Sequence, residues 1–365
     1  MAFRVNANIF ENSFILEMAN NHWGRLDRGL SIIQQYSQVV RFNNIKGFIK
    51  FQLRDVDRFI HRDFRRRQDI RYIKKTMDTI LSNEDYVKLA RAVRKARMGV
   101  SATPFDERSV DFCLELGCDM IKIASSDIND WPLIEKIASV KRPVIASTGG
   151  ASVKDMDDMV LYFLNRQIPL ALLHCVSLYP TLDGDLELNQ IDFLKNRYPD
   201  VTIGFSTHEQ SDWHSSMLIA YGKGARVFER HVDIDDGTTK VSPYCSLPHQ
   251  VDQWFRAYHR AVQMCGGSPN CKRIPTKEEI AYLDKLVRGV YAARSIKAGK
   301  RLDAADIYLS IPLLKEQISC RELLIGDMGM TATKDIEIHA PISINDIDIF
   351  CDNEGLRNIL ESRGL

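Results

Sequence analysis

Gly99-Val-Ser-Ala-Thr103, Met120-Ile-Lys-Ile-Ala124 and Pro143-Val-Ile-Ala-Ser147 are short β-rich runs, and the stretch that holds them decides the fold. Between them, residues 109–116 and 132–139 carry apolar side chains at spacings of three and four, the mark of an amphipathic helix. Strands and helices that alternate in this way predict parallel strands joined by right-handed crossovers. The alternation continues outward on both sides. Phe14-Ile-Leu-Glu17 and Gly47-Phe-Ile-Lys50 precede it; Leu170-Ala-Leu-Leu-His174, Val201-Thr-Ile-Gly-Phe-Ser206 and Arg226-Val-Phe-Glu-Arg-His231 follow. Helical spacing recurs at 26–40, 84–95 and 153–164. Eight candidate strands predict an α/β fold, a closed (β/α)8 TIM barrel. A doubly wound open sheet is the alternative, but the first βα turn, Ala19-Asn-Asn-His-Trp-Gly24, has no Gly-x-Gly-x-x-Gly.

The chain has 365 residues, more than one ordinary core holds, so a second domain is expected beside the barrel. Hydrophobic residues make up 45% and charged residues 27%, which excludes a disordered or fibrous chain. Lys and Arg number 49 against 48 Asp and Glu, so no global field recruits nucleic acid or an anionic membrane. Residues 55–75 are crowded with arginine, namely Arg58, Arg62, Arg65, Arg66, Arg67 and Arg71, but interleaved aspartates make this a solvated face rather than a nucleic-acid groove. The eight cysteines form no Cys-x-x-Cys pair and read as reduced thiols. Residues 1–8 lack a basic segment leading into an apolar one, and no long apolar run occurs, so a cytoplasmic location is expected.

After a helix expected at 254–264, the breaker-rich Cys265-Gly-Gly-Ser-Pro-Asn-Cys-Lys-Arg-Ile-Pro-Thr marks an interdomain connection. The division expected is a barrel over 1–267, a linker over 268–285, a small β-rich domain over 286–350 and a tail over 351–365. Gly289-Val-Tyr-Ala-Ala, Ile296-Lys-Ala-Gly-Lys, Asp306-Ile-Tyr-Leu and Pro341-Ile-Ser-Ile supply the strands and turns of the small domain.

Catalytic groups of such a barrel stand at the C-terminal ends of its strands. Read in order, those ends offer Glu17, Lys50 with Gln52, Thr103, Lys122 with Ser125, Ser147, Ser177 with Tyr179, Ser206 with His208, and His231. Polar groups placed repeatedly at the ends of apolar strands are costly unless a ligand satisfies them. Lysines with Ser and Thr hydroxyls suit a phosphate or carboxylate, so a phosphorylated small acid fits. His208 and His231 suit a divalent metal that shares its other positions between water and substrate.

The same residues carry a family resemblance. Glu17-Met-Ala-Asn-Asn-His22-Trp-Gly24 resembles the Glu-Ile-Gly-x-Asn-His-x-Gly opening of the sialic acid synthases, including the spore-coat polysaccharide synthases. Ile49-Lys50-Phe-Gln52, Thr103-Pro-Phe-Asp, Lys122-Ile-Ala-Ser125, Ser147-Thr-Gly149, Leu173-His-Cys-Val-Ser-Leu-Tyr-Pro180, Ile203-Gly-Phe-Ser206-Thr-His208 and Glu229-Arg-His231 are similar to its further blocks, in order. Tyr291-Ala-Ala-Arg-Ser-Ile-Lys-Ala-Gly-Lys-Arg-Leu-Asp-Ala-Ala-Asp306-Ile is similar to its antifreeze-like, or SAF, domain. The resemblance implies condensation of phosphoenolpyruvate with an aldose-type acceptor to give a 3-deoxy-2-keto sugar acid and phosphate, for surface polysaccharide synthesis. It further implies that His208 and His231 hold manganese or magnesium, and that Lys50, Thr103, Lys122, Ser125, Ser147 and Ser206 bind phosphoenolpyruvate. Gln52, Ser177 and Tyr179 would line the pocket, with Glu17 or Asp127 moving protons.

Two positions depart from the family's pattern. Ser242, in Lys240-Val-Ser242-Pro-Tyr-Cys-Ser-Leu247, stands where the family has an acceptor-binding aspartate, and Ser310-Ile311-Pro312 replaces an arginine before a Pro-Gly turn. Losing a carboxylate and a guanidinium predicts an acceptor other than N-acetylmannosamine. The resemblance also implies a domain-swapped homodimer. Another phosphate-using barrel, an aldolase or isomerase, and a non-catalytic sugar-binding relative are the alternatives.

Overall fold

The computed structural model describes residues 9–268, 270–323 and 329–349. The expected C-terminal tail and the N-terminal eight residues lie outside them. Contacts divide the chain into Met1–Gly266 and Gly267–Leu365.

In the first unit, β1 (Ser13–Ala19), β2 (Lys46–Leu53), β3 (Gly99–Pro104), β4 (Met120–Ile123), β5 (Val144–Ser147), β6 (Leu170–Cys175), β7 (Thr202–Thr207) and β8 (Val227–His231) pair in sequence order and close into a barrel. All ladders are parallel, and β8 returns to β1 with His231 beside Glu17. This is the TIM barrel that the alternation predicts. Side chains alternate across each strand. Ile15, Phe48, Met120, Ile145, Ala171, Leu173 and Val227 therefore form an apolar layer inside the barrel, while Phe14, Ile49, Ile121, Leu172 and Phe228 face outward and pack with the surrounding helices. The next inward layer toward the C-terminal ends is polar, and Glu17 stands beside Lys50 and Gln52 beside Thr103 in the ladders.

Local chemistry fixes where the helices begin. Ser82 accepts from Asp85 N–H, Asp106 from Ser109 N–H and Asp130 from Leu133 N–H, and Ser152 closes a capping box with Asp155. Each cap satisfies a helix-end donor, and those of Asp106, Asp130 and Ser152 come within a few residues of the ends of β3, β4 and β5, which keeps the preceding loops at the mouth short.

In the second unit, β9 (Gly289–Ala292) pairs antiparallel with β10 (Ile307–Ser310), and β11 (Met330–Ala332) with β12 (Ile347–Ile349). Val290, Ala292, Ile296, Leu302, Ile318, Met330, Ala332, Ile336 and Ile342 form its core. The runs at 296–300 and 341–344 are turns and isolated bridges: Gly299 takes a φ of +82°, and Ser343 closes a capping box with Asp346. Every described cysteine is free. Among the described residues, no helix is long and apolar enough to cross a membrane.

Candidate active site

Glu229 is the centre of the polar layer. Its Oε1 accepts from Lys50 Nζ at 2.8 Å and from Ser206 Oγ at 3.3 Å, and its Oε2 accepts from Lys122 Nζ at 3.1 Å. Lys50 also contacts Glu17 Oε2 at 2.6 Å, and Lys122 donates to Ser147 Oγ at 2.6 Å. Five strands, β1, β2, β4, β5 and β8, thus meet in one buried network, with β7 joining through Ser206. Glu229 is not among the residues expected from the strand ends, although it sits two residues before His231 and so shares its inward face. Arg230, between them, faces outward and pairs with Glu209 at 3.0 Å.

Two lysines meet two carboxylates here, and the environment drives the carboxylates apart. Burial alone would raise Glu229, but Lys122 and Lys50 outweigh it and hold its carboxyl well below the usual carboxylate range. For Glu17 burial wins over Lys50, with Glu229 adding to it, and its pKa is raised. Burial opposes the charge on Lys50, yet Glu17 and Glu229 prevail and raise its pKa; for Lys122 burial prevails over Glu229 and lowers it. A permanently ionised carboxylate beside one poised to carry a proton is the arrangement that separates electrostatic and acid–base roles. Glu17 Oε1 also accepts from Ala19 N–H at 2.6 Å, where β1 shifts register and Ala19 takes a φ of +48°. The carboxylate and the chain bend at the strand end are therefore coupled.

A small inner cavity of about 60 Å³ is lined by Glu17, Lys50, Thr103, Lys122, Ser147, Ser206, His208 and Glu229. A wider outer cavity of about 740 Å³ is lined by Asn20, Asn21, Ser126, Gly149, Ser177 and Tyr244, among others. Gln52, Ser125, Tyr179 and His231 belong to both. All the expected substrate and metal residues therefore line this paired cavity. Asp127 does not: it ends the turn Ser125–Asp127, where its Oδ1 accepts from Ser126 Oγ at 2.8 Å. Ser242 lies outside the walls too, and Tyr244 from the same loop takes a place in them.

His208 and His231 stand with ring centroids 5.4 Å apart, flanked by Tyr179 at 4.1 Å from His208 and Tyr244 at 5.2 Å from His231. His208 Nδ1 bonds Val176 O at 3.0 Å, which leaves its Nε2 for another partner. His231 Nδ1 is buried with no hydrogen-bond partner. Burial holds His208 neutral down to about 4 and His231 well below its ordinary range, so both keep a lone pair for a ligand. Among the described residues, no group of three or more His, Cys, Asp or Glu is arranged to hold a metal by itself. Thr103 Oγ1 is also buried without a partner. Such atoms cost about 1–3 kcal/mol each when unsatisfied, and His231 and Thr103 both line the inner cavity, where a ligand can reach them.

Gly149 shapes the wall. Its N–H donates to Ser125 Oγ at 3.1 Å, and an added Cβ would meet Ser177 Oγ at 2.2 Å and Ser125 Oγ at 2.9 Å. His22 and Asn21, by contrast, hold the first loop: His22 Nδ1 accepts from Gly24 N–H at 3.1 Å and Nε2 meets Tyr86 OH at 3.3 Å, while Asn21 donates to Val232 O at 2.8 Å. The arginine-rich segment is not wholly a solvated face, since Arg71, Tyr72, Lys75 and Thr76 line the outer cavity.

Residues 46–269 match the model of the NeuB family, more than half of the chain. The chain belongs to the NeuB family. Residues 287–348 of this NeuB-family chain match the SAF domain. It is 27% identical over 323 residues to N-acetylneuraminate-9-phosphate synthase of Drosophila melanogaster, covering 81% of this chain and 86% of the relative. A solved protein named spore coat polysaccharide biosynthesis protein E, from Chromobacterium violaceum, superposes with a TM-score of 0.88 at 36% identity, over 93% of this chain and 100% of that one. An N-acetylneuraminic acid synthetase from Leptospira borgpetersenii, solved with citrate, superposes with a TM-score of 0.65 at 26% identity, over 75% and 91%.

Proposed function

We propose that this NeuB-family chain condenses phosphoenolpyruvate with the aldehyde of an aldose-type acceptor, giving a 3-deoxy-2-keto sugar acid and inorganic phosphate for surface polysaccharide synthesis. One observation carries the reading most: Lys50 and Lys122 converge on Glu229 in the wall of a cavity rimmed by Thr103, Ser147 and Ser206 hydroxyls. A small dianionic head is what such a mixture of ammonium and hydroxyl donors suits. The synthase names of the relatives from Drosophila and Leptospira agree with it.

In this mechanism Lys50, Lys122, Ser125, Ser147, Ser206 and Thr103 hold the phosphate and carboxylate of phosphoenolpyruvate, and Gln52, Ser177 and Tyr179 orient the acceptor. The methylene carbon forms a bond to the aldehyde carbon, whose oxygen takes a proton to become a hydroxyl. Water then adds to C2 and loses a proton. The C2–O bond to phosphate breaks as the proton of the new C2 hydroxyl passes to the departing phosphate, leaving the keto acid. Glu17, with its raised pKa, is the group that takes and returns these protons, worth about 10²–10⁴ in rate. Asp127 lies off the cavity and has no proton-transfer part here. Glu229 keeps both lysines charged and aligned.

His208 and His231 would hold a divalent ion, manganese or magnesium: they are neutral, adjacent, and His231 Nδ1 lacks any other partner. Such an ion supplies Lewis-acid polarisation of an aldehyde oxygen. The domain division proposed is a synthase barrel over 1–267, a linker over 268–285 and an SAF domain over 286–350. A domain-swapped homodimer is proposed with it, as is a cytoplasmic location.

Phosphate release from phosphoenolpyruvate, measured with a panel of aldoses and with divalent metal stripped, tests the reading. Turnover that requires both an acceptor and the metal is expected. A Schiff-base aldolase would run without metal, and no release with any acceptor would favour a non-catalytic sugar binder.

A further inference from the structure

Among the described residues, some cations of residues 55–75 pair with aspartates and others, exposed Arg58 and Arg66 among them, do not. Arg62 pairs with Asp63, Arg65 with Asp57, Arg67 with Asp69 and Lys74 with Asp78. Arg71 and Lys75 stand one turn apart on the helix Arg71–Asp78, on one face, and have no ion-pair partner among the described residues. What sets Arg71 and Lys75 apart from unpaired Arg58 and Arg66 is the outer cavity, which both line together with Tyr72 and Thr76.

No aspartate or glutamate lines that cavity among the described residues. In a chain of net charge +1, a cavity with two cations and no carboxylate is a local positive field. The wall is also braced. Arg54 lies 3.8 Å from the ring centre of Phe105 and donates to Tyr72 OH at 2.6 Å and to Gln52 Oε1 at 3.0 Å. Tyr72, between Arg71 and Lys75 in the helix, is thereby tied to a residue common to both cavities.

Phosphoenolpyruvate does not account for these cations. Its two anionic groups have Lys50, Lys122 and the hydroxyls of the inner cavity, and the aldehyde of the acceptor must reach the same place, near His208 and His231. The far end of the acceptor then lies in the outer cavity. Resting on the synthase reading above, we propose that the acceptor carries an anionic group, phosphate or carboxylate, at the end away from its aldehyde, and that Arg71 and Lys75 bind it. An acceptor gripped through a charge has less need of the aspartate that Ser242 replaces.

The test uses the full chain with manganese and three acceptors: N-acetylmannosamine, N-acetylmannosamine 6-phosphate and N-acetylmannosaminuronate. Phosphate release gives kcat/KM for wild type, Arg71→Gln, Lys75→Gln and the double variant, with exposed Arg66→Gln, outside the cavity wall, as control. Wild type is expected to prefer a charged acceptor at least tenfold over the neutral one, and the better of the two identifies the anion. The double variant is expected to lose that preference at least tenfold, through KM for the acceptor and not for phosphoenolpyruvate, while Arg66→Gln keeps it. Equal or better use of the neutral sugar overturns the proposal, as does a rise in KM for phosphoenolpyruvate alone. If no sugar turns over, the synthase reading fails by itself, and calorimetry of the three sugars still decides the anion site. Tenfold weaker binding of a charged sugar to the double variant keeps it; unchanged binding removes it.

Discussion

Lys50 Nζ on β2 reaches Glu229 Oε1 on β8 at 2.8 Å, although 179 positions separate the two residues in the chain. Both are buried, and Lys122 approaches the other oxygen of the same carboxylate. Removing one member of such a network leaves the rest charged and without water. Breaking a buried pair in this way costs about 3–5 kcal/mol. Glu229→Gln is therefore expected to lower unfolding stability by about that amount. Adding Lys122→Met should restore part of it while leaving phosphate release abolished. Denaturant unfolding of the two variants checks this, and a fully stable Glu229→Gln contradicts it.

Glu17→Gln keeps the shape of its side chain and the bond from Ala19 N–H but cannot carry a proton. Turnover is expected to fall by about 10²–10⁴, with KM for phosphoenolpyruvate changed only a few-fold. The limb of the pH–kcat profile that belongs to this raised carboxyl should vanish in the variant. A profile identical in shape to wild type would assign that limb to another group.

Gly149→Ala places a methyl where Ser177 Oγ and Ser125 Oγ now sit. Both hydroxyls must move from the cavity wall, so substrate affinity is expected to weaken at least tenfold with the barrel still folded. Pairing the change with Ser177→Ala removes the closer obstacle and should recover part of the affinity relative to Gly149→Ala alone. Steady-state kinetics of the single and double variants measure it.

His22 is fully buried and burial lowers its pKa from 6.5 to about 4. The unfolded imidazole takes a proton near 6.5 that the folded one refuses until about 4, so falling pH favours the unfolded state across that window. Over the whole window the lost stability approaches about 3 kcal/mol. His22→Asn lacks this term. Its stability deficit against wild type should be largest at pH 7 and narrow steadily toward pH 5. Thermal melts of the pair at matched ionic strength test it; a deficit that does not change with pH rejects the assignment.

Most of the barrel could be read from the chain because each strand is a short apolar run that ends in a polar residue, and only a closed mouth makes eight such endings economical. Period-two alternation then carries Glu17, Lys50, Thr103, Lys122, Ser147 and Ser206 to one layer. The same rule reaches Glu229 from His231, with Arg230 between them packing outward against Glu209. Arg71 and Lys75 could not be told from the other cations of their segment. Whether a cation of this segment lines the cavity or faces solvent depends on the path of the loop and helix, which spacing alone leaves open. Tyr244 comes from an irregular loop after β8 whose path no periodicity describes. Asp127 follows Ser125 closely in sequence, yet within their tight turn Ser125 lines both cavities and Asp127 lines neither.

The central claim is that the inner cavity grips phosphoenolpyruvate beside a histidine-held ion. A crystal grown with phosphoenolpyruvate and manganese, with the ion located by its anomalous signal, tests it most directly. The account predicts one manganese on His208 and His231, with the phosphate and carboxylate oxygens within hydrogen-bonding distance of Lys50, Lys122, Ser147 and Ser206. Manganese elsewhere, or phosphoenolpyruvate held only by Arg71 and Lys75 in the outer cavity, would contradict it.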